Sequence, residues 1–208
     1  MQEYYLPTGA GEASFVEKRS EFLGHVRMVE TEDEAKSFIA EMKKKYYDAR
    51  HNCWCYIIRG GAVRYSDDGE PQGTAGIPML EVFKREGIEN VVCVVTRYFG
   101  GILLGAGGLL RAYTKSAKDA LDASGVSVVR RWVETELECT YAALEKLKLE
   151  VASCGGVISD IEYGAGVTVR ALIPEEKSEA FAARIFDVSA GTVTVQTTGE
   201  AFRPVKVR

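Results

Sequence analysis

The run NVVCVVTR, residues 90–97, constrains this chain more than any other stretch. It is nearly all β-branched, which specifies a strand. Apolar residues fill both of its alternating faces, which specifies a strand buried on both sides. Upstream, residues 15–19 and 22–29 read as two strands around a polar turn at Ser20-Glu21. TEDE, opening at Thr31, is a capping box. It starts a helix whose Ala35, Phe38, Ile39 and Met42 share one face, and Lys43, Lys44 and Lys45 place positive charge at its negative dipole end. Residues 52–59 read as a strand that turns at Gly60-Gly61 into a hairpin partner at 63–66. Pro78 suits the first turn of a second helix, with Met79, Val82 and Phe83 on its buried side and Gly87 as its stop. From Gly107 the pattern is helical again. Leu110, Thr114, Ala117 and Leu121 are the expected apolar face, and Gly125 is the end.

The charge pattern divides the chain. Residues 1–131 are neutral overall, and residues 132–208 carry the whole net charge of −4. The second part reads strand 133–139, helix 142–153, strands 157–162 and 167–173, helix 175–189, strand 192–198. That βαββαβ order is ferredoxin-like. The overall charge argues against wholesale nucleic-acid binding. Residues 91–131 nevertheless carry a local net +4, from Arg97, Arg111, Lys115, Lys118, Arg130 and Arg131 against Asp119 and Asp122. The five cysteines are odd in number, and three lie in apolar runs. The first residues lack the apolar core of a signal peptide, and no stretch reaches the roughly 20 apolar residues of a membrane span. The expectation is a reduced, soluble, cytoplasmic protein with no membrane partner.

Three stretches could carry chemistry. In YSDDGEPQGTAG, residues 65–76, the carboxylates Asp67, Asp68 and Glu70 could hold magnesium or act as acid and base. The same residues are also ordinary turn chemistry, and that reading is the stronger. In ARHNCWCYII, His51, Cys53 and Cys55 alternate along one side of a strand. Same-side neighbours are about 6.6 Å apart, so at most two could share a zinc ion, and structural cysteines are expected instead. The third stretch carries Gly100, Gly101, Gly105, Gly107 and Gly108 between a buried strand and a helix, flanked by Arg97 and Arg111. Amides at such a helix start attract anions. Glycines that permit close helix–strand packing account for the same spacing equally well.

Taken together, HNCW, SDDGEPQGTAGIPML, VVTRYFGG, LGAGGLLRAY and the βαββαβ tail resemble the IMPACT family, in its bacterial YigZ-like branch. The resemblance spans essentially the whole chain; Cys55 departs from it, where a small residue is expected. It implies an α+β fold in two domains. Residues 1–131 would form a ribosomal-protein-S5-domain-2-like, left-handed βαβ domain, like domain IV of elongation factor G. Residues 132–208 would form a ferredoxin-like domain resembling the C-terminus of that factor. The resemblance also links the chain to translation, because eukaryotic relatives maintain translation in amino-acid starvation by competing for the activator of an initiation-factor kinase.

Three functions follow, in order. The first is a non-enzymatic binder of RNA or the ribosome in translation regulation or stress response. It would contact anions through His51, Asp67, Asp68, Glu70, Arg97, Gly100, Gly101, Gly105, Gly107, Gly108, Arg111, Lys115 and Lys118. The second is a protein-interaction module, with a protein partner in translation control and purely structural motifs. The third is an enzyme on a phosphorylated or anionic small molecule, with His51, Asp67, Asp68, Glu70 and Arg97 converging on a pocket. No catalytic residue, metal or cofactor is assigned.

Overall fold

A computed structural model describes residues 3–208. The elements in chain order begin with β1 (Tyr4–Pro7), β2 (Gly11–Glu17), β3 (Ser20–Met28), α1 (Glu32–Lys45), β4 (His51–Ile57) and β5 (Val63–Ser66). Next come α2 (Gly76–Arg85), β6 (Val91–Tyr98), α3 (Gly105–Ser124) and β7 (Val126–Cys139). The last are α4 (Leu144–Ser153), β8 (Val157–Tyr163), β9 (Val167–Pro174), a single 3-10 turn (Glu175–Lys177), α5 (Ser178–Val188) and β10 (Val195–Lys206). The chain forms two compact units, so the mixed α/β, two-domain fold expected from the sequence is the observed one. The larger unit holds Tyr4–Val128 and Pro204–Arg208, and the smaller holds Glu3 and Val129–Arg203.

The larger unit is built around β6. Its sheet has the order β2-β3-β6-β4-β5, with each neighbouring pair antiparallel. Seven of the eight residues of β6 are buried, because both faces are covered. On one face α2 and α3 pack Met79, Phe83, Tyr113 and Leu121 against Phe22, Val26, Cys93 and Val95. On the other, α1 packs Phe38, Ile39 and Met42 against Tyr56, Val92 and Val94. Each large apolar side chain buried here contributes about 1.5–3 kcal/mol. The smaller unit has the sheet order β10-β7-β9-β8, with α4 and α5 packed through Leu147, Val151, Phe181 and Ile185. That is the ferredoxin-like arrangement.

Local differences from the sequence reading have physical causes. The β2–β3 turn is Lys18-Arg19, both in the left-handed region, and Ser20 already belongs to β3. Two positive-φ residues between paired strands make the turn that matches strand twist, and here it needs no glycine. Thr31 caps α1 by accepting from the Glu34 amide, but Glu34 reaches back to the amide of Glu30 rather than that of Thr31. Helix α3 starts at Gly105, and its buried face is Leu109, Ala112, Tyr113, Ser116, Ala117, Ala120 and Leu121. Leu110 is exposed. Ala117 and Leu121 are buried as the sequence pattern indicates, but Thr114 is only half-buried, and small residues, Ala and Ser, fill much of the side turned to the sheet.

Those small residues let α3 lie almost on the strands. A Cβ placed on Gly24 would stand 2.6 Å from the Ser116 carbonyl oxygen. Gly24→Ala is therefore expected to cost about 1–3 kcal/mol by overpacking, read as a lower urea midpoint. On the opposite face His25 is buried, with its ring stacked on Tyr46 and its Nδ1 3.4 Å from Glu12 Oε1. Burial pulls its pKa below 6.5, against the pull of Glu12, while Lys45 adds to the lowering. The unfolded chain then binds the proton more readily than the folded one. Stability should fall as pH drops below about 6.5 and level off below the depressed folded value. His25→Phe should remove that component from the urea midpoint measured across pH 5–8.

Candidate functional site

The loop 67–75 is organised by its carboxylates. Asp68 and Gly69 are both left-handed, and the Glu70 amide donates to the Asp67 carbonyl, so Asp67–Glu70 is a tight turn. The Asp67 carboxylate accepts from the amides of Gly73 (2.8 Å), Ala75 (3.1 Å) and Gly76 (2.8 Å). It thereby closes the loop and supplies the N-terminal cap of α2. The Cys53 thiol donates to the Asp67 carbonyl at 2.9 Å, and burial pushes the pKa of that thiol well up. Asp68 Oδ2 accepts from the Asn52 amide at 2.7 Å, and its Oδ1 accepts from Lys43 Nζ at 2.6 Å. Lys43, read from sequence as charge placed at the dipole end of its helix, is also the loop's tether to α1.

The turn delivers Glu70 into the interior. Its side chain is 3% exposed, and Oε1 accepts from Arg97 Nη1 at 2.7 Å and from the Tyr113 hydroxyl at 2.8 Å. Burial, then the neighbouring Cys53 and Glu70, push the Tyr113 hydroxyl well above its ordinary pKa, so it stays a donor. Arg97 Nη2 donates to Ser20 Oγ at 3.3 Å, and the same oxygen accepts from the Gly100 amide. Gly100 is obligatory there: a Cβ would fall 2.0 Å from the carbonyl carbon of Arg19. The β4–β6 register sets His51 opposite Arg97. His51 Nδ1 lies 2.9 Å from the Asp68 carbonyl oxygen, which can only accept, so Nδ1 carries a proton. Nε2 is turned toward Glu70 Oε2 at 3.9 Å.

Beside this network lies a cleft of about 350 Å³, lined among others by Arg50, His51, Glu70, Arg97, Phe99 and Gly105. Among the described residues no side-chain capping bond is made at the start of α3, whose N-cap is the apolar Leu104. The Arg50 and Arg97 guanidiniums lie 5.9 and 5.5 Å from the ring centre of Phe99, which is 40% exposed.

Residues 18–121 match the family model described as the Impact N-terminal domain, and residues 137–192 match a domain of unknown function, DUF1949. The chain is 37% identical over 193 residues to the IMPACT family member YvyE of Bacillus subtilis, covering 92% of this chain and 89% of that one. It is 34% identical over 201 residues to the IMPACT family member YigZ of Escherichia coli, covering 93% and 97%. This chain belongs to the IMPACT family. A crystal structure of a hypothetical protein is similar at 31% identity with a TM-score of 0.60, over 95% of this chain and 98% of that one.

In this IMPACT-family chain the residues singled out from sequence separate into groups. His51, Glu70, Arg97 and Gly105 line the cleft. Gly100 and Gly101 lie in the loop entering α3, and Gly107 and Gly108 in its first turn. Asp67 and Asp68 do not converge on the cleft with their carboxylates, because both are occupied by backbone amides and Lys43. The expected basic face is largely neutralised. Lys115 pairs with Asp119, and Lys118 with Asp122 (2.6 Å) and Glu86 (2.9 Å). Among the described residues Arg111 has no ion-pair partner, and its Nη1 lies over Gly107. Among the described residues no three of His, Cys, Asp and Glu are placed to hold a metal ion. Sequence reasoning missed Ser20, Arg50, Phe99 and Tyr113. The last two sit inside the RYFGG and LLRAY motifs, so the signal was present. The error in the phase of α3 hid Tyr113.

Glu70→Gln preserves shape but leaves the buried Arg97 charge uncompensated. It should cost about 3–5 kcal/mol, whereas Tyr113→Phe removes one hydrogen bond from a group that keeps another partner and should cost about 1 kcal/mol. Guanidinium unfolding of both variants checks the difference.

Proposed function

We propose that this chain is a non-enzymatic binder of RNA or the ribosome that acts in translation control. The observation that carries the reading is the cleft where β6 meets α3. An uncapped helix start, two arginines and a half-exposed aromatic ring border one small opening. Helix-start amides and guanidiniums favour phosphate, and an exposed ring beside them favours a stacked base. The link to translation rests on the resemblance drawn from the sequence. The occupied Asp67 and Asp68 carboxylates count against acid–base chemistry at this opening. A protein-interaction role is favoured by a different observation, the exposure of Ile102 (41%) and Leu103 (82%) on the loop entering α3.

The ion pairs of Lys115 and Lys118 limit how many phosphates the surface can engage. Arg50, which lines the cleft, and Arg111, which lies over Gly107 outside that lining, have no ion-pair partner among the described residues. Two contacts give a slope of log K against log salt of about −1.4 for a single strand. Fluorescence anisotropy with a labelled single-stranded oligoribonucleotide should therefore show binding with a slope between about −1 and −2. A flat titration at low salt would exclude RNA and leave the protein-partner reading.

A further inference from the structure

The floor of the cleft is an acceptor surface, and that sets what can sit on it. His51 Nδ1 is committed to the Asp68 carbonyl, so in the neutral ring Nε2 is a lone-pair acceptor. Glu70 spends Oε1 on Arg97 and Tyr113, and among the described residues Oε2 has no hydrogen-bond partner, on a side chain 3% exposed. Among the described residues neither His51 Nε2 nor Glu70 Oε2 is a sealed, unpartnered atom, and both residues line the cleft. With His51 neutral neither atom can donate to the other, and at 3.9 Å they are close enough to share a ligand bearing adjacent donors. A carboxylate oxygen and a neutral imidazole nitrogen both accept and neither donates, so this pair is matched by hydroxyl groups rather than by an anion.

The remaining walls specify what carries those hydroxyls. Phe99 is 40% exposed with the Arg50 and Arg97 guanidiniums over its ring, so a base would stack there by displacing the Arg50 side chain, and the start of α3 offers the amides of Gly105 and Ala106. Arg97 is neutralised by Glu70, so Arg50 and the helix start leave the opening with little more than one positive charge. That matches one phosphate, not a triphosphate. The volume, about 350 Å³, lies at the small end of ligand sites of ~300–1,000 Å³.

We propose that the cleft binds a single ribonucleotide unit, with the ribose hydroxyls donating to His51 Nε2 and Glu70 Oε2, the base stacked on Phe99, and the phosphate at the start of α3. This rests on the RNA reading above for its source, but the chemistry is the same for the 3′-terminal nucleotide of an RNA strand, whose 2′ and 3′ hydroxyls are both free, and for a free nucleoside 5′-monophosphate. Reading the ribose hydroxyl makes the site selective against DNA.

The test uses the full chain and four probes. These are a single-stranded oligoribonucleotide, the oligodeoxyribonucleotide of the same sequence with uracil in place of thymine, adenosine 5′-monophosphate and its 2′-deoxy analogue. Phe99→Ala and His51→Ala are titrated alongside, with circular dichroism to confirm that they are folded. The expected result is about tenfold weaker binding of each deoxy probe to the wild type. Phe99→Ala should weaken ribonucleotide binding about tenfold. His51→Ala should erase the ribo-over-deoxy preference. RNA binding that ignores the sugar and both substitutions overturns the proposal and leaves the RNA reading standing. Binding of the monophosphate with sugar preference, but not of RNA, supports the site and overturns the RNA reading. No binding of any probe overturns both. If His51→Ala does not fold, Phe99→Ala and the two sugar comparisons on the wild type still decide the matter.

Discussion

The buried contact between Glu70 and Arg97 is what the functional end of this protein depends on. Four separate segments meet there: the tight turn after β5, the end of β6, the buried face of α3 through Tyr113, and the start of β3 through Ser20. Buried ion pairs bring little net stability, because desolvation offsets most of the attraction. Their value is geometric. A carboxylate with two donors on one oxygen cannot rotate without losing both, so Glu70 fixes the orientation of Arg97, and through Ser20 the path of the chain at Gly100. The cleft inherits its shape from that constraint.

The layered fold was legible in the sequence where patterning was strong. NVVCVVTR announced a two-sided strand, and β6 is the centre of its sheet. Thr31 announced a helix start that exists, and the βαββαβ order of the second part is the one observed. Where small residues do the packing, the pattern misled. Alanine and serine carry little hydrophobic signal, so the first half of the α3 face turned to the sheet was misjudged by about one residue, and Tyr113 was lost with it, while Ala117 and Leu121 were read correctly. The Lys18-Arg19 turn was missed because its left-handed conformation is imposed by the strands on either side and is not signalled by glycine or asparagine.

The acidic loop and the basic helix show opposite limits of reading charge from sequence. Asp67, Asp68 and Glu70 are adjacent in the chain yet do three unrelated things: cap a helix, tether a strand, and orient an arginine. Spacing could not separate these roles, since they depend on which way each side chain leaves a turn. The lysines of α3 could have been judged correctly, because Asp119 and Asp122 stand four residues after Lys115 and Lys118, the spacing at which opposite charges meet on a helix. A count of cations overstated the field; a count of cations without local partners would have pointed to Arg111.

The larger unit is not continuous in the chain. Residues 204–208 belong to it, with the Val126 amide donating to the Arg208 carbonyl, the Val207 amide donating to the Val126 carbonyl, and Arg208 pairing with Glu86. A ribosome making this protein therefore releases all of the smaller unit before the larger one can be finished. Unlike a chain whose domains close one after another, this one holds its first unit open at one margin until residue 208 has been added.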